Sequence, residues 1–227
     1  TLEKIENDGF TIDSKVDMKL SSDSSIDITK SMSLGIAGFA DAYHQLSPDL
    51  IILLGDRFEI FTAATAAMIA RIPIGHIHGG EATEGLIDEA IRHSITKMSH
   101  LHFTATTEYR NRVIQLGENP ERVFCVGATG LDNIKKLKLF DKNSFEKAIN
   151  FKLGKKNILV TFHPVTLECD SSRIQFSALL DAVEELEQTK IIFTKPNADM
   201  GGCQISEMID EYVSKNNKGD YALEQIP

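Results

Sequence analysis

Two rhythms alternate along the chain: short unbroken apolar runs, and longer stretches in which apolar residues recur every three to four positions. Leu50 to Leu54 is a continuous apolar run, of the kind a parallel sheet buries on both faces. Phe58 to Ala70 follows as an alanine-rich helix. The pair repeats with a strand over Pro73–His78 and a helix in which Ile87, Ile91 and Ile95 form one apolar face. It repeats again with a strand over Leu101–Ala105, a helix over Glu108–Leu116 and a strand over Arg122–Val126, closed by Gly127-Ala128-Thr129-Gly130. Residues 131–150 are lysine-rich and amphipathic, and predict a helical connection between domains. A second series then starts, with strands over Asn157–Phe162 and Lys190–Thr194 and helices over Arg173–Leu186 and Ile205–Val213. Such regular alternation predicts a right-handed, doubly wound α/β architecture in two domains, residues 1–140 and 141–227.

The beginning of the chain is less patterned. Ile12, Val16, Met18 and Leu20 alternate with polar residues and predict a short edge strand within Thr11–Leu20. Asp27 is placed to cap a helix that runs to about Gln45, with Ile28, Met32, Ile36, Phe39 and Tyr43 on one face. Ser47-Pro48-Asp49 ends it.

Against this background the segment from Pro73 to His93, PIGHIHGGEATEGLIDEAIRH, stands apart. It places histidines, glycines, carboxylates and an arginine between an apolar strand and a helix. Alternation along the strand predicts that His76 and His78 point to the same side. Gly79 and Gly80 let the backbone approach a ligand closely or turn with positive φ. Asp88 and Arg92 are one helical turn apart, as are Glu89 and His93, all off the isoleucine stripe. Asp56-Arg57, His78 to Glu81, His163 and Asn197 all fall just past predicted strand ends, the edge at which open α/β sheets bind ligands.

Bulk composition narrows the field. The 227 residues carry a formal net charge of −9, which argues against a nucleic-acid or anionic-membrane surface. It leaves room for an anionic small ligand held at helix N-termini. No apolar run is long enough to span a bilayer. The three cysteines form no CxxC pair, which fits a reducing, cytoplasmic setting.

Each motif has an ordinary reading beside its chemical one. Gly55-Asp56-Arg57 could be a turn with a capping aspartate. A cation at a helix N-terminus, however, opposes the helix dipole unless an anion such as phosphate sits there. His76-x-His78 resembles half of a zinc site, yet His100-x-His102 repeats the pattern without company. Satisfied buried histidines are therefore the simpler expectation for His76, His100 and His102. Glu81, Glu84, Asp88 and Glu89 could form a solvated acidic helix start. Beside Arg92 they also suit acid–base chemistry, where one carboxyl stays ionised while another is raised in pKa.

Taken together, Gly55-Asp56-Arg57, His76-Ile-His-Gly-Gly-Glu81, Ile87-Asp88-Glu89-Ala-Ile-Arg92-His93-Ser-Ile-Thr-Lys97, Thr161-Phe-His-Pro-Val-Thr166 and Lys195-Pro-Asn197-Ala-Asp199 resemble the hydrolysing UDP-N-acetylglucosamine 2-epimerases of sialic acid and related nonulosonic acid pathways. The resemblance runs from about Pro48 to Gly202. It implies two Rossmann-like domains of GT-B type, incomplete here at both chain ends. It further implies conversion of UDP-GlcNAc and water to ManNAc and UDP, without metal or nicotinamide. The partners implied are a UDP-sugar substrate and further copies of the chain in a homodimer or homotetramer, with no nucleic acid and no membrane.

Carried over by motif, Asp56 and Asp88 take the essential carboxylate positions and His163 the HPVT histidine. Arg57 and Asn197 take nucleotide-contacting positions. The chain departs at His78, where many relatives have glutamate. The candidate acid–base residues are thus Asp56, Asp88 and His163, supported by His78, Glu81 and Glu89. Arg57, Arg92, His93, Asn197, Gly79 and Gly80 are candidates for holding the substrate. The alternatives are a hydrolysing epimerase on a UDP-2,4-diacetamido sugar, a non-hydrolysing epimerase, a GT-B glycosyltransferase, a non-catalytic nucleotide-sugar-binding regulator and, last, a metal hydrolase using His76 and His78.

Overall fold

The computed structural model describes residues 2–165, 171–196, 201–215 and 221–223. The backbone forms two compact units, one of residues 1–21 and 26–135, the other of residues 22–25 and 136–227. Both are parallel α/β layers.

The first unit opens with helix α1 (Leu2–Asn7) and then the long α2 (Ser25–Leu46). Its sheet has the order β1 (Ile51–Leu54), β2 (Ile74–Ile77), β3 (Leu101–Thr104), β4 (Val123–Cys125), every pairing parallel. The crossovers are α3 (Phe58–Ala70), α4 (Ile87–Met98) and α5 (Thr107–Gln115). Leu53, Ala63, Ala64, Ala67, Ile74 and Ile95 form the core between sheet and helices, with Phe39 and Tyr43 of α2 packed against it. The alanines explain the fit of α3, since small side chains let a helix lie close to its neighbours.

The second unit carries β5 (Lys156–Thr161), β6 (Thr189–Thr194) and β7 (Tyr221–Leu223) in one parallel sheet, with α8 (Ser171–Glu184) and α9 (Gly202–Lys215). Phe176, Ile191, Phe193, Ile205 and Ile209 are its most enclosed apolar residues among those described, and Phe162 and Tyr212 extend the aromatic packing.

The structure corrects several expectations. Residues 11–20 are not a strand. Their alternation serves a helix instead. Val16 and Met18 fill the space left by two glycines of α2, where a Cβ at Gly38 would fall 2.6 Å from Val16 Cγ1 and one at Gly35 2.8 Å from Met18 Cε. Helix α2 starts at Ser25, so Asp27 lies in its first turn rather than capping it. The connection over 131–150 is broken into α6 (Gly130–Lys136) and α7 (Lys142–Ala148), the latter capped by Asp141, whose carboxylate accepts the Ser144 N–H. Strand β1 is not buried on both faces. Among the described residues it lies at the edge of its sheet, and Ile52 and Leu54 are half exposed while Leu53 faces the core.

Gly80, just past β2, has φ +82°, and a Cβ there would lie 2.3 Å from the Tyr109 carbonyl oxygen of α5. Backbone cannot yield as a flexible side chain can. Gly127 has a similar φ of +87° but open space around it. Gly80→Ala is therefore expected to destabilise the first unit by about 3 kcal/mol, and Gly127→Ala by only about 1 kcal/mol. Urea unfolding of the two variants beside the parent checks this, and equal losses would contradict the packing assigned to Gly80.

Candidate active site

The site is built at the C-terminal edge of the first sheet. Gly55 follows β1 with φ +85°, and its N–H donates to Ile77 O at 3.1 Å. That bond brings Asp56 alongside the end of β2. After β2 the chain turns sharply. His78 takes φ +67°, a left-handed backbone that few non-glycine residues adopt. This overturns the expected alternation: His76 points into the core, fully enclosed, while His78 leaves the strand and stays half-buried at the edge. The two imidazoles do not share a face.

The loop after His78 is held by one side chain. Arg92 of α4 ion-pairs with Asp56, donates to Glu81 O at 2.9 Å and to Thr83 Oγ1 at 3.0 Å. It lies off the isoleucine stripe, as the sequence predicts, yet only 4% of it is exposed. Burial without partners would be prohibitive for a guanidinium; here a carboxylate, a carbonyl and a hydroxyl take its donors. Desolvation still lowers its pKa. Glu89, in the first turn of α4, accepts the Thr83 N–H at 2.8 Å and faces His93 Nε2 at 3.8 Å. Burial lowers the His93 pKa, and its Nδ1 is enclosed without a hydrogen-bond partner. Asp88 is half-buried in the first turn of the same helix.

His78 Nδ1 lies 2.7 Å from Glu81 Oε1, and its Nε2 3.3 Å from Thr129 Oγ1 in the loop after β4. A carboxylate on one ring nitrogen orients the imidazole and leaves the other to give or take a proton. Gly79 and Gly80 complete the turn, and Arg112 of α5 donates to Gly80 O.

Asp56, His78, Gly79, Gly80, Glu81, Asp88, Glu89, Arg92 and His93 thus gather at the end of β2 and the start of α4. Arg57, at the N-cap of α3, makes no side-chain cap there; it forms a two-pronged pair with Glu59, both contacts 3.1 Å. That carboxylate offsets the cation that would otherwise oppose the helix dipole. His163 stands exposed two residues past β5, in the second unit. Asn197 lies outside the described residues. Three further contributors escape a reading of the sequence: Thr83, Thr129 and Arg112. Only Thr129 carries a signal, since it follows a strand on the same sheet edge.

The other histidines divide. His76 and His102 are buried, and His76 is bonded to Gly55 O (2.8 Å) and Thr96 Oγ1 (3.2 Å). His102 Nε2 meets Glu118 at 3.2 Å. His100 is exposed rather than buried, because it lies before β3 at the opposite sheet edge; its Nδ1 accepts the Ile74 N–H. Among the described residues no group of three or more His, Cys, Asp and Glu is placed to hold a metal ion. Nor is any helix among them long and apolar enough to cross a membrane.

A family model described as UDP-N-acetylglucosamine 2-epimerase matches residues 1–219. The chain belongs to the UDP-N-acetylglucosamine 2-epimerase family. It is 41% identical over 217 residues to the GDP/UDP-N,N'-diacetylbacillosamine 2-epimerase (hydrolyzing) of Campylobacter jejuni, covering 96% of this chain and 56% of that protein. It is 42% identical over 224 residues to polysialic acid biosynthesis protein P7 of Escherichia coli, covering 98% and 57%. The chain thus spans little more than half the length of these curated relatives. The solved UDP-GlcNAc 2-epimerase of Methanocaldococcus jannaschii, in complex with UDP-GlcNAc and UDP, superimposes with a TM-score of 0.76 at 16% identity, over 98% of this chain and 61% of that one. The α/β fold of GT-B type expected from the sequence is the fold of this family.

Burial pushes the pKa of His76 down to about 4. In the unfolded chain an imidazole titrates near the ordinary value of about 6.5. Above that pH His76 is neutral in both states. Below it the unfolded chain gains a proton that the folded one refuses, so stability falls between pH 6.5 and about 4, by up to about 3 kcal/mol. Urea unfolding at pH 7.5 and 4.5 should show this loss, and His76→Gln should flatten it. A parent with equal stability at both values would refute the assignment.

Proposed function

We propose that this chain carries catalytic residues of a hydrolysing UDP-sugar 2-epimerase, acting on UDP-GlcNAc to give ManNAc and UDP. The observation that carries the reading is the Asp56 carboxylate held by a buried Arg92 beside the His78–Glu81 pair. The proton at C2 of the sugar is weakly acidic, so its removal needs a base held in place and a leaving diphosphate whose charge is stabilised. In the first step the C2–H and C1–O bonds break, UDP leaves and a glycal forms. In the second, water adds its hydroxyl to C1 and a proton to the opposite face of C2. The ion pair with Arg92 holds the Asp56 carboxylate in place, which suits a base or a charge stabiliser. The His78–Glu81 pair can hold or pass a proton. Asp88 and Glu89 supply further carboxylates at the start of α4, and His93 an imidazole. Arg57, at a helix N-terminus, suits the diphosphate, and His163 and Asn197 are proposed to contact the substrate.

The hydrolysing outcome is supported by the Campylobacter relative, whose name carries that word. The same name favours a second reading of the sugar, a UDP-2,4-diacetamido hexose. The Escherichia coli relative, named for polysialic acid biosynthesis, favours the first.

Full-length protein incubated with UDP-GlcNAc in deuterium oxide is expected to release UDP and ManNAc carrying deuterium at C2, followed by proton NMR. Turnover of UDP-N,N'-diacetylbacillosamine alone would select the second reading. Sugar released with hydrogen retained at C2 would sink both. Asp56→Asn should lower kcat by about 10³-fold with the fold intact by circular dichroism.

A further inference from the structure

His76 is not one of the residues assigned to the chemistry above, and it touches no open space. Its surroundings nonetheless point at Asp56. A carbonyl oxygen only accepts, so the 2.8 Å contact with Gly55 O requires that Nε2 carry the ring proton. Nδ1 is then bare, and it accepts from the Thr96 hydroxyl at 3.2 Å. Thr96 is itself fully buried. Gly79 leaves room for this pair, since a Cβ there would lie 3.1 Å from both His76 Nδ1 and Thr96 Oγ1.

Gly55 is thereby held at both ends: its N–H by Ile77 O and its carbonyl by His76. That carbonyl belongs to the peptide joining Gly55 to Asp56. Thr96 is one turn beyond Arg92 on α4. One helix face therefore runs two parallel tethers to the same dipeptide. Arg92 reaches the Asp56 carboxylate directly, and Thr96 reaches the Asp56 backbone through His76.

We propose that His76 is a positioning residue: through its bonds to Thr96 and to the Gly55 carbonyl, it fixes the peptide plane that aims the Asp56 carboxylate. This rests on Asp56 acting in the epimerase reaction. Holding a peptide plane matters because displacing a reacting group by about 1 Å costs on the order of 10²-fold in rate.

The test uses full-length protein and three variants. His76→Gln keeps an N–H donor near the Nε2 position, His76→Leu removes it, and Thr96→Val removes the outer hydroxyl. With C2 proton exchange as the readout, His76→Leu should lower kcat about 10²-fold with KM within about twofold, and His76→Gln should recover to within about tenfold of the parent. In an Asp56→Asn background, His76→Leu should cost less than about twofold more, because both changes disable one carboxylate. Full additivity, or no rescue by glutamine, would overturn the proposal.

A readout without substrate separates this from the function itself. Side-chain carboxyl ¹³C NMR of Asp56, assigned by its loss in Asp56→Asn, should show its titration rising in His76→Leu and less so in Thr96→Val, as the ion pair with Arg92 loosens. An unchanged titration would refute the tether whatever the enzyme does. A parent that exchanges no C2 proton, with the titration moved as expected, would refute the epimerase reading and leave the tether standing. If His76→Leu fails to fold, His76→Gln and Thr96→Val carry the same comparison at smaller amplitude.

Discussion

The enclosed guanidinium of Arg92 is the constraint on which the C-terminal edge of the first sheet depends. A charge removed from water must find partners of opposite charge or good acceptors, or it destabilises the fold by several kcal/mol. Arg92 meets that demand with the Asp56 carboxylate, the Glu81 carbonyl and the Thr83 hydroxyl. Those partners come from the end of β1 and from the loop after β2, so satisfying one buried cation also fixes two loops and the helix that bears it. The position of Asp56 is a consequence of where α4 can place a fully bonded arginine.

The loop after β2 is shaped by steric limits as much as by charge. His78 and Gly80 both take left-handed backbone, and between them the chain doubles back over α5. At Gly80 there is no room for a side chain against the Tyr109 carbonyl. The turn then delivers Glu81 to the Nδ1 side of His78. Glu81 thus sets a carboxylate on one side of the imidazole and Thr129 a hydroxyl on the other.

Desolvation sorts the histidines into two kinds. His76, fully buried, is held neutral with its pKa near 4, and it serves as a fixed hydrogen-bonding element. His78, half-buried, lies between the Glu81 carboxylate and the Thr129 hydroxyl at the sheet edge. Two residues apart, the same side chain meets a closed core and a half-open sheet edge because the backbone leaves the strand between them.

Much of the fold was legible because its signals are local. Strand and helix alternation, the isoleucine stripe of α4 and the strand ends bearing polar residues follow from backbone periodicity, which neighbouring residues set. The motif order also placed Asp56, His78 to Glu81 and Asp88 to His93 on one sheet edge. Tertiary structure alone decided the rest. The alternation of residues 11–20 looks the same whether it packs on a sheet or into the glycine hollows of α2. An apolar run such as Leu50–Leu54 does not say that it will be an edge. Arg92 reads as a polar helix residue until its three partners arrive from 9 to 36 positions away. Sequence fixes which groups are near in the chain; whether a left-handed turn or a buried charge brings distant ones together depends on packing that no local pattern encodes.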